Sequence, residues 1–165
     1  MSLVPQDLFD LAGKVLDANR EAGRRIVTAE SCTGGLVAAS LTEHAGSSDV
    51  VEAGFVTYSN KAKGEMLLVP EAMVVAQGAV SEAVALTMAK GALERCKAAS
   101  VAIAITGIAG PGGGSFDKPV GTVWIARAIR RGEVSEAWLH QFDRNGSREE
   151  IRRQAALAAL ELLLP

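Results

Sequence analysis

The sequence predicts an α/β fold: a three-layer α/β/α sandwich around a mixed sheet of about five strands. Three observations carry this expectation. Stretches with helical spacing alternate with short β-branched runs along most of the chain, which is how strands covered by helices read. The run Ser100 to Thr106 is apolar on both alternations, as a central strand buried on both faces must be. Two late strand-like runs meet at Arg131-Gly132, which marks an antiparallel hairpin beside the parallel strands. The 165 residues suit one domain, 1–165, with a real core. That core must be aliphatic, because 48% of the residues are hydrophobic and only 4% aromatic.

The elements follow in order. Leu8, Leu11, Val15 and Ala18 recur at helical spacing over residues 6–22, with Pro5 suited to the first turn and Gly23 ending the helix. Arg24 to Glu30 is the first strand, Thr33 to His44 the second helix, and Ala45-Gly46-Ser47-Ser48 a turn. Val50 to Tyr58 reads as a strand, with Gly54 marking a bulge or a close backbone approach. Asn60 caps a short helix from Lys61 to Leu68, which Pro70 stops, and 71–79 is a further helical turn. Ser81 caps a helix to about Cys96, with Val84, Met88, Ala92 and Cys96 on one face. After the central strand, five of the ten residues from Thr106 to Ser115 are Gly, so this is a loop. Val120 to Ile129 and Val134 to Phe142 are the hairpin strands. Ser147-Arg148-Glu149-Glu150 has the capping-box pattern and opens a last helix with Ile151, Ala155, Ala158 and Leu162 on one face.

Charge and composition exclude several classes. A net charge of −2 gives no bulk attraction to nucleic acid or to an anionic membrane. No apolar run reaches transmembrane length. Met1 to Asp10 has neither the basic nor the apolar region of a signal peptide, so a cytoplasmic location is expected. The two cysteines, Cys32 and Cys96, form no CxxC pattern and fit a reduced protein. With only His44 and His140 and no Cys cluster, neither a metal site nor a cofactor is expected. Seven of the eleven arginines lie between Arg127 and Arg153, however, which leaves a local anion site open.

Three groups of residues are candidates for chemistry. Thr28-Ala29-Glu30-Ser31-Cys32-Thr33-Gly34-Gly35 joins the first strand to the second helix. Ser31 sits at the turn, Gly34 and Gly35 let a ligand approach the backbone, and the first helix N–H groups point back toward the turn. That arrangement suits a nucleophile beside an oxyanion hole, half of an anion site, or an ordinary N-cap at Ser31 or Thr33. In the second group, Tyr58 to Lys63, a lysine can serve a serine as base if burial lowers its pKa. Neither histidine is placed near Ser31, so a Ser–Lys pair is more natural than Ser–His–Asp, and Lys61 reads as a solvated helix residue. The third group is the glycine loop. It lacks the Lys-Ser/Thr of a P-loop and leads into a strand rather than a helix. Its free N–H groups suit either an anion nest or a structural loop. Arg148 and Arg152, four apart near a helix N-terminus, either hold an anion or pair with surface carboxylates.

Five stretches together carry a resemblance. They are Thr28 to Gly35, Phe55-Val56-Thr57-Tyr58-Ser59-Asn60, Gly78-Ala79-Val80-Ser81, Thr106-Gly107-Ile108-Ala109-Gly110-Pro111 and Lys118-Pro119-Val120-Gly121-Thr122-Val123. In this order they resemble the CinA C-terminal domain family, over essentially the whole chain, in its stand-alone nicotinamide-nucleotide amidase form. The resemblance implies hydrolysis of the carboxamide of nicotinamide mononucleotide, without cofactor or metal. It makes Ser31 the nucleophile, Lys63 the base and Tyr58 an assisting residue. It makes the 106–113 loop the nucleotide-binding segment, with Thr106, Gly107, Gly110, Gly112 and Gly113. The run Gly112-Gly113-Gly114 is slightly richer in Gly than the family pattern. The oxyanion would then face the helix start at Thr33, Gly34 and Gly35, and one of Arg144, Arg148 or Arg152 would reach the substrate phosphate. The resemblance further implies self-association into homo-oligomers. A non-catalytic nucleotide-binding regulatory module is the alternative, and hydrolysis of another amide or ester of a phosphorylated metabolite a third.

Overall fold

The computed structural model describes all 165 residues. It contains α1 (Gln6–Glu21), β1 (Ile26–Glu30), α2 (Leu36–Thr42), a 3-10 turn (Ser47–Asp49), β2 (Val51–Val56), α3 (Asn60–Leu67), α4 (Glu71–Gln77), α5 (Glu82–Arg95), β3 (Val101–Gly107), β4 (Thr122–Ile129), β5 (Val134–Gln141) and α6 (Arg148–Leu162). The five strands form one sheet in the order β2-β1-β3-β4-β5. β1 is parallel to both β2 and β3, whereas β4 is antiparallel to β3 and to β5. This is the mixed, helix-covered sheet that the sequence predicts.

The alternation within the strands sorts the two faces. Val101, Ile103 and Ile105 of β3, with Val123 and Ile125 of β4, join residues of α1, α2 and α6 in one apolar cluster. Ala102, Ala104, Ala126 and Ala128 point the other way, toward Ala85, Ala89 and Ala92 of α5. Small side chains on both surfaces let α5 lie close to the sheet. The same closeness joins α3 to α5: a Cβ on Gly91 would lie 1.9 Å from the Leu67 carbonyl oxygen. Gly54 likewise marks a close approach, because a Cβ there would meet Thr28 Oγ1 at 2.9 Å and Ala38 Cβ at 3.2 Å.

Two helix starts differ from expectation. α2 begins at Leu36 rather than Thr33, because Gly34 and Gly35 both take positive φ and keep residues 32–35 as a turn. α3 is capped by Ser59, whose Oγ accepts from the Ala62 N–H at 3.0 Å, one residue before the expected cap. The side chain of Asn60 is thereby released. Ser81 and Ser147 cap α5 and α6 as predicted, but Glu150 turns away from its cap to Arg153 and Gln154. No helix is long and apolar enough to cross a membrane.

Candidate active site

The carboxyl ends of the parallel strands β1, β2 and β3 lie on one edge of the sheet. From β1 the chain passes to β2 on one side, and β3 lies on the other, so a crevice opens beyond these strand ends. The Ser31 N–H donates to Ile105 O (3.0 Å) and the Thr57 N–H to Glu30 O (2.8 Å), which ties the three strand exits together. Around that edge lies a cavity of about 260 Å3. Its lining includes Ser31 and Cys32 after β1, Tyr58 after β2, Lys63 on α3, the 106–113 loop after β3 and Arg148 on α6. A larger cavity, about 640 Å3, opens beside α3 and α4, but its lining holds no serine, cysteine or buried lysine.

Lys63 is the most unusual residue of the site. It is only 1% exposed, and no carboxylate lies within ion-pairing distance. Its Nζ donates to Ser31 Oγ at 2.8 Å, to Thr57 O at 2.8 Å and to Tyr58 O at 3.4 Å. Burial lowers its pKa from the usual lysine value. A lysine that gives up charge beside a serine hydroxyl is suited to take that hydroxyl's proton. Lys61, two residues away, is solvated and lies 3.7 Å from Glu65.

Glu30 is a site residue that the sequence reading overlooked. Its carboxylate is fully buried and accepts from Thr33 Oγ1 (2.6 Å) and from the N–H groups of Gly35 (3.1 Å), Val37 (3.1 Å) and Ala38 (2.9 Å). This corrects one expectation: the first N–H groups of α2 are already filled, and Thr33, Gly34 and Gly35 do not line the cavity. Within the turn the N–H of Cys32 has no acceptor, and Cys32 does line the cavity. No local signal marks Glu30, which stands six residues before Leu36 and outside the first turn of α2. Cys32 itself is a buried thiol whose pKa is pushed up to about 11, first by burial, so it is not a competing nucleophile.

The remaining candidates divide. Arg148 donates to Gly110 O (2.7 Å) and to the Tyr58 hydroxyl (2.7 Å), spanning the mouth of the cavity. Arg152 instead donates to Cys32 O (3.1 Å) and Thr33 O (3.0 Å), from outside the cavity. Arg144 is exposed in the loop before α6 and makes neither contact. Neither Arg148 nor Arg152 meets a carboxylate, so the surface ion pairs that their spacing allowed do not form. Thr106, Gly107, Gly110, Gly112 and Gly113 all line the cavity, although the Thr106 hydroxyl is committed to Ala79 O at 2.9 Å. The N–H groups of Ala109, Gly110, Gly112 and Gly113 have no acceptor within the protein, as an anion nest requires. Asn60 also lines the cavity. The adjoining segment Gly114 to Asp117 is exposed, with Phe116 wholly so.

The CinA C-terminal domain family model matches residues 8–165. The protein is 48% identical over 161 residues to a nicotinamide-nucleotide amidohydrolase PncC from Shigella flexneri, covering 98% of this chain and 95% of the relative. It is 51% identical over 138 residues to a CinA-like protein from Akkermansia muciniphila, covering 83% of this chain but only 33% of that longer relative. The crystal structure of competence/damage inducible protein CihA from Agrobacterium tumefaciens superposes with a TM-score of 0.93 at 48% identity, over 99% of this chain and 97% of that one. Sequence and fold therefore agree along nearly the whole length, and the chain belongs to the CinA C-terminal domain family.

Proposed function

We propose that this protein hydrolyses the carboxamide of nicotinamide mononucleotide to nicotinate mononucleotide and ammonia, with Ser31 as nucleophile and Lys63 as base. The observation that carries the reading is the 2.8 Å contact between Lys63 Nζ and Ser31 Oγ, with a lysine that is buried and free of any carboxylate. The amidohydrolase name of the Shigella flexneri relative supports the choice of substrate.

Once Lys63 is neutral, its two N–H bonds can stay on Thr57 O and Tyr58 O while its lone pair accepts from the Ser31 hydroxyl, which reverses the 2.8 Å bond described above. Ser31 Oγ attacks the amide carbon while its proton passes to Lys63. The carbonyl pair moves onto oxygen, where the acceptor-free Cys32 N–H stabilises it. Collapse of that intermediate breaks the C–N bond, Lys63 returns the proton to the departing nitrogen, and ammonia leaves. Water then attacks the acyl-serine, with Lys63 again as base, and releases the carboxylate. Val80, Ile108 and Ala109 offer an apolar wall to the pyridine ring. Arg148 and the free N–H groups of the glycine loop suit the phosphate. Tyr58 acts at both ends, through its carbonyl on Lys63 and its hydroxyl on Arg148.

The test is ammonia release from nicotinamide mononucleotide and other pyridine nucleotides by wild type and Ser31→Ala. Wild type should turn over the mononucleotide, and the variant should bind it without turnover. A Ser31→Ala enzyme keeping more than about a tenth of wild-type kcat would have lost under roughly 1.4 kcal/mol of barrier lowering, too little for a covalent nucleophile. Binding without any ammonia from wild type would identify a regulatory module instead.

A further inference from the structure

We propose that Glu30 and Arg152 are positioning residues that grip the Ser31 turn from opposite sides, one through its N–H groups and the other through its carbonyls. The proposal rests on Ser31 being the nucleophile, as argued above.

Glu30 ends β1, so its backbone is fixed by the sheet on both sides: Ala29 pairs with Phe55 and Ala104, and Glu30 with Val56 and Ile105. From that fixed point its side chain reaches forward and collects Thr33 Oγ1 and the N–H groups of Gly35, Val37 and Ala38. Arg152 is equally well anchored. It belongs to α6, whose neighbours Ile151, Ala155 and Ala156 are buried in the core, and its Nε and Nη2 reach the carbonyls of Cys32 and Thr33. A Cβ on Gly34 would come within 3.3 Å of Arg152 Nη2, so the turn lies directly against the guanidinium.

The partners of the N–H groups along the turn show what this grip accomplishes. From Ser31 to Ala38, the Ser31 N–H goes to Ile105 O, Gly34 to Ser31 O and Leu36 to Thr33 O, and Gly35, Val37 and Ala38 go to Glu30. Only the N–H groups of Cys32 and Thr33 are left without an acceptor. Glu30 therefore removes the helix start as a competing donor site and leaves the donors beside Ser31 available. Arg152 adds to this by fixing the Cys32 and Thr33 carbonyls outside the cavity, which holds the turn that carries the Cys32 N–H. Neither residue touches the reacting atoms. The pair acts on where Ser31 Oγ and the free donors sit, and so on kcat rather than on substrate affinity.

The experiment measures kcat and KM for nicotinamide mononucleotide and for the phosphate-free riboside in Glu30→Gln, Arg152→Met, Arg152→Lys and Arg148→Ala, with wild type and Ser31→Ala as bounds. Arg152→Met should lower kcat on the order of 100-fold, with KM within about twofold of wild type for both substrates. Arg152→Lys can reach one of the two carbonyls and should recover part of that loss. Glu30→Gln should also lose kcat and keep KM. Arg148→Ala, by contrast, should raise KM for the nucleotide and hardly for the riboside. A rise in KM confined to the nucleotide in Arg152→Met would make Arg152 a phosphate ligand and overturn the proposal, as would an unchanged kcat. Amide hydrogen exchange reads the same grip without turnover: in Glu30→Gln the Gly35, Val37 and Ala38 amides should lose protection before the rest of the sheet, and unchanged protection would refute the Glu30 half. If Glu30→Gln gives no cooperative melt, the Arg152 pair decides alone. Retained turnover in Ser31→Ala removes the nucleophile itself, and is distinguished from failure of the grip because it appears in a variant where Glu30 and Arg152 are intact.

Discussion

Burial of Lys63 serves the base we propose it to be and costs the fold stability. A base must be neutral near working pH, and a fully buried ammonium without a carboxylate is costly to fold around. Burial lowers its pKa in the folded protein, so the unfolded chain holds the proton more tightly. This residue therefore opposes folding once the pH drops below the ordinary lysine value, and the opposition grows until the folded value is reached. Lys63→Met keeps much of the volume and titrates nothing. It should abolish turnover yet raise stability near neutral pH on the order of 1 kcal/mol, or a few degrees in Tm, with the gain shrinking toward about pH 11. Calorimetry at the two pH values checks this, and a variant less stable than wild type at both would contradict it. In wild type, kcat/KM should fall as the pH is lowered and Lys63 takes up its proton. Ser31 and Lys63 were legible as a candidate pair because a serine turn and a lysine-bearing helix each follow a strand. The division of labour between Arg148 and Arg152 was not. Their spacing on one helix suggests a shared role, but one side chain bends to Gly110 and the other to Cys32. Only the tertiary position of α6 separates them.

At the scale of elements, α3 matters because it carries Lys63, and its position is set by contact with α5. The Leu67 carbonyl rests on Gly91 with no room for a side chain. Gly91→Ala must push α3 away from α5 or distort one of them, at a cost of roughly 1–3 kcal/mol. Because α3 then moves relative to β1, the Lys63–Ser31 contact should lengthen and kcat should fall more than stability alone explains. Thermal melts and kinetics on one preparation test this; a destabilised variant with wild-type kcat at a temperature where it is fully folded would show that α3 holds its place without Gly91. The central strand was the most legible element, since Ala-Ile alternation with no polar face leaves no reading but burial on both sides. The start of α2 was the least. Three small or hydroxylated residues there look like a cap, whereas two positive φ angles and the Glu30 carboxylate prolong the turn to Leu36. A carboxylate that serves N–H groups five to eight residues onward leaves no local pattern to read.

Across the whole molecule, the site draws on both helix layers. α3 comes from the layer that packs on the alanine face, and α6 from the layer on the Val/Ile face. Arg148 and Tyr58, ninety positions apart in sequence, join the two layers at the sheet edge. The crevice at the carboxyl ends of the parallel strands follows from a general rule of α/β sheets, so the location of the candidate site was legible even where its contacts and the order of the strands were not. The glycine loop lies between the part of the chain that carries Ser31 and Lys63 and the part that carries Arg148. Phe116 stands fully exposed within it, which makes it the preferred point of attack for chymotrypsin under native conditions. A single cut there would yield fragments 1–116 and 117–165 held together by the pairing of β3 with β4 and the packing of α6 in the core. The nicked protein should elute as one particle and show two bands under denaturing conditions, whereas fragments that separate on the column would show that this pairing is too weak. Fragment 117–165 would carry Arg148 and fragment 1–116 the rest of the cavity, so the amidase could be made in two pieces and its activity would then report whether they have met.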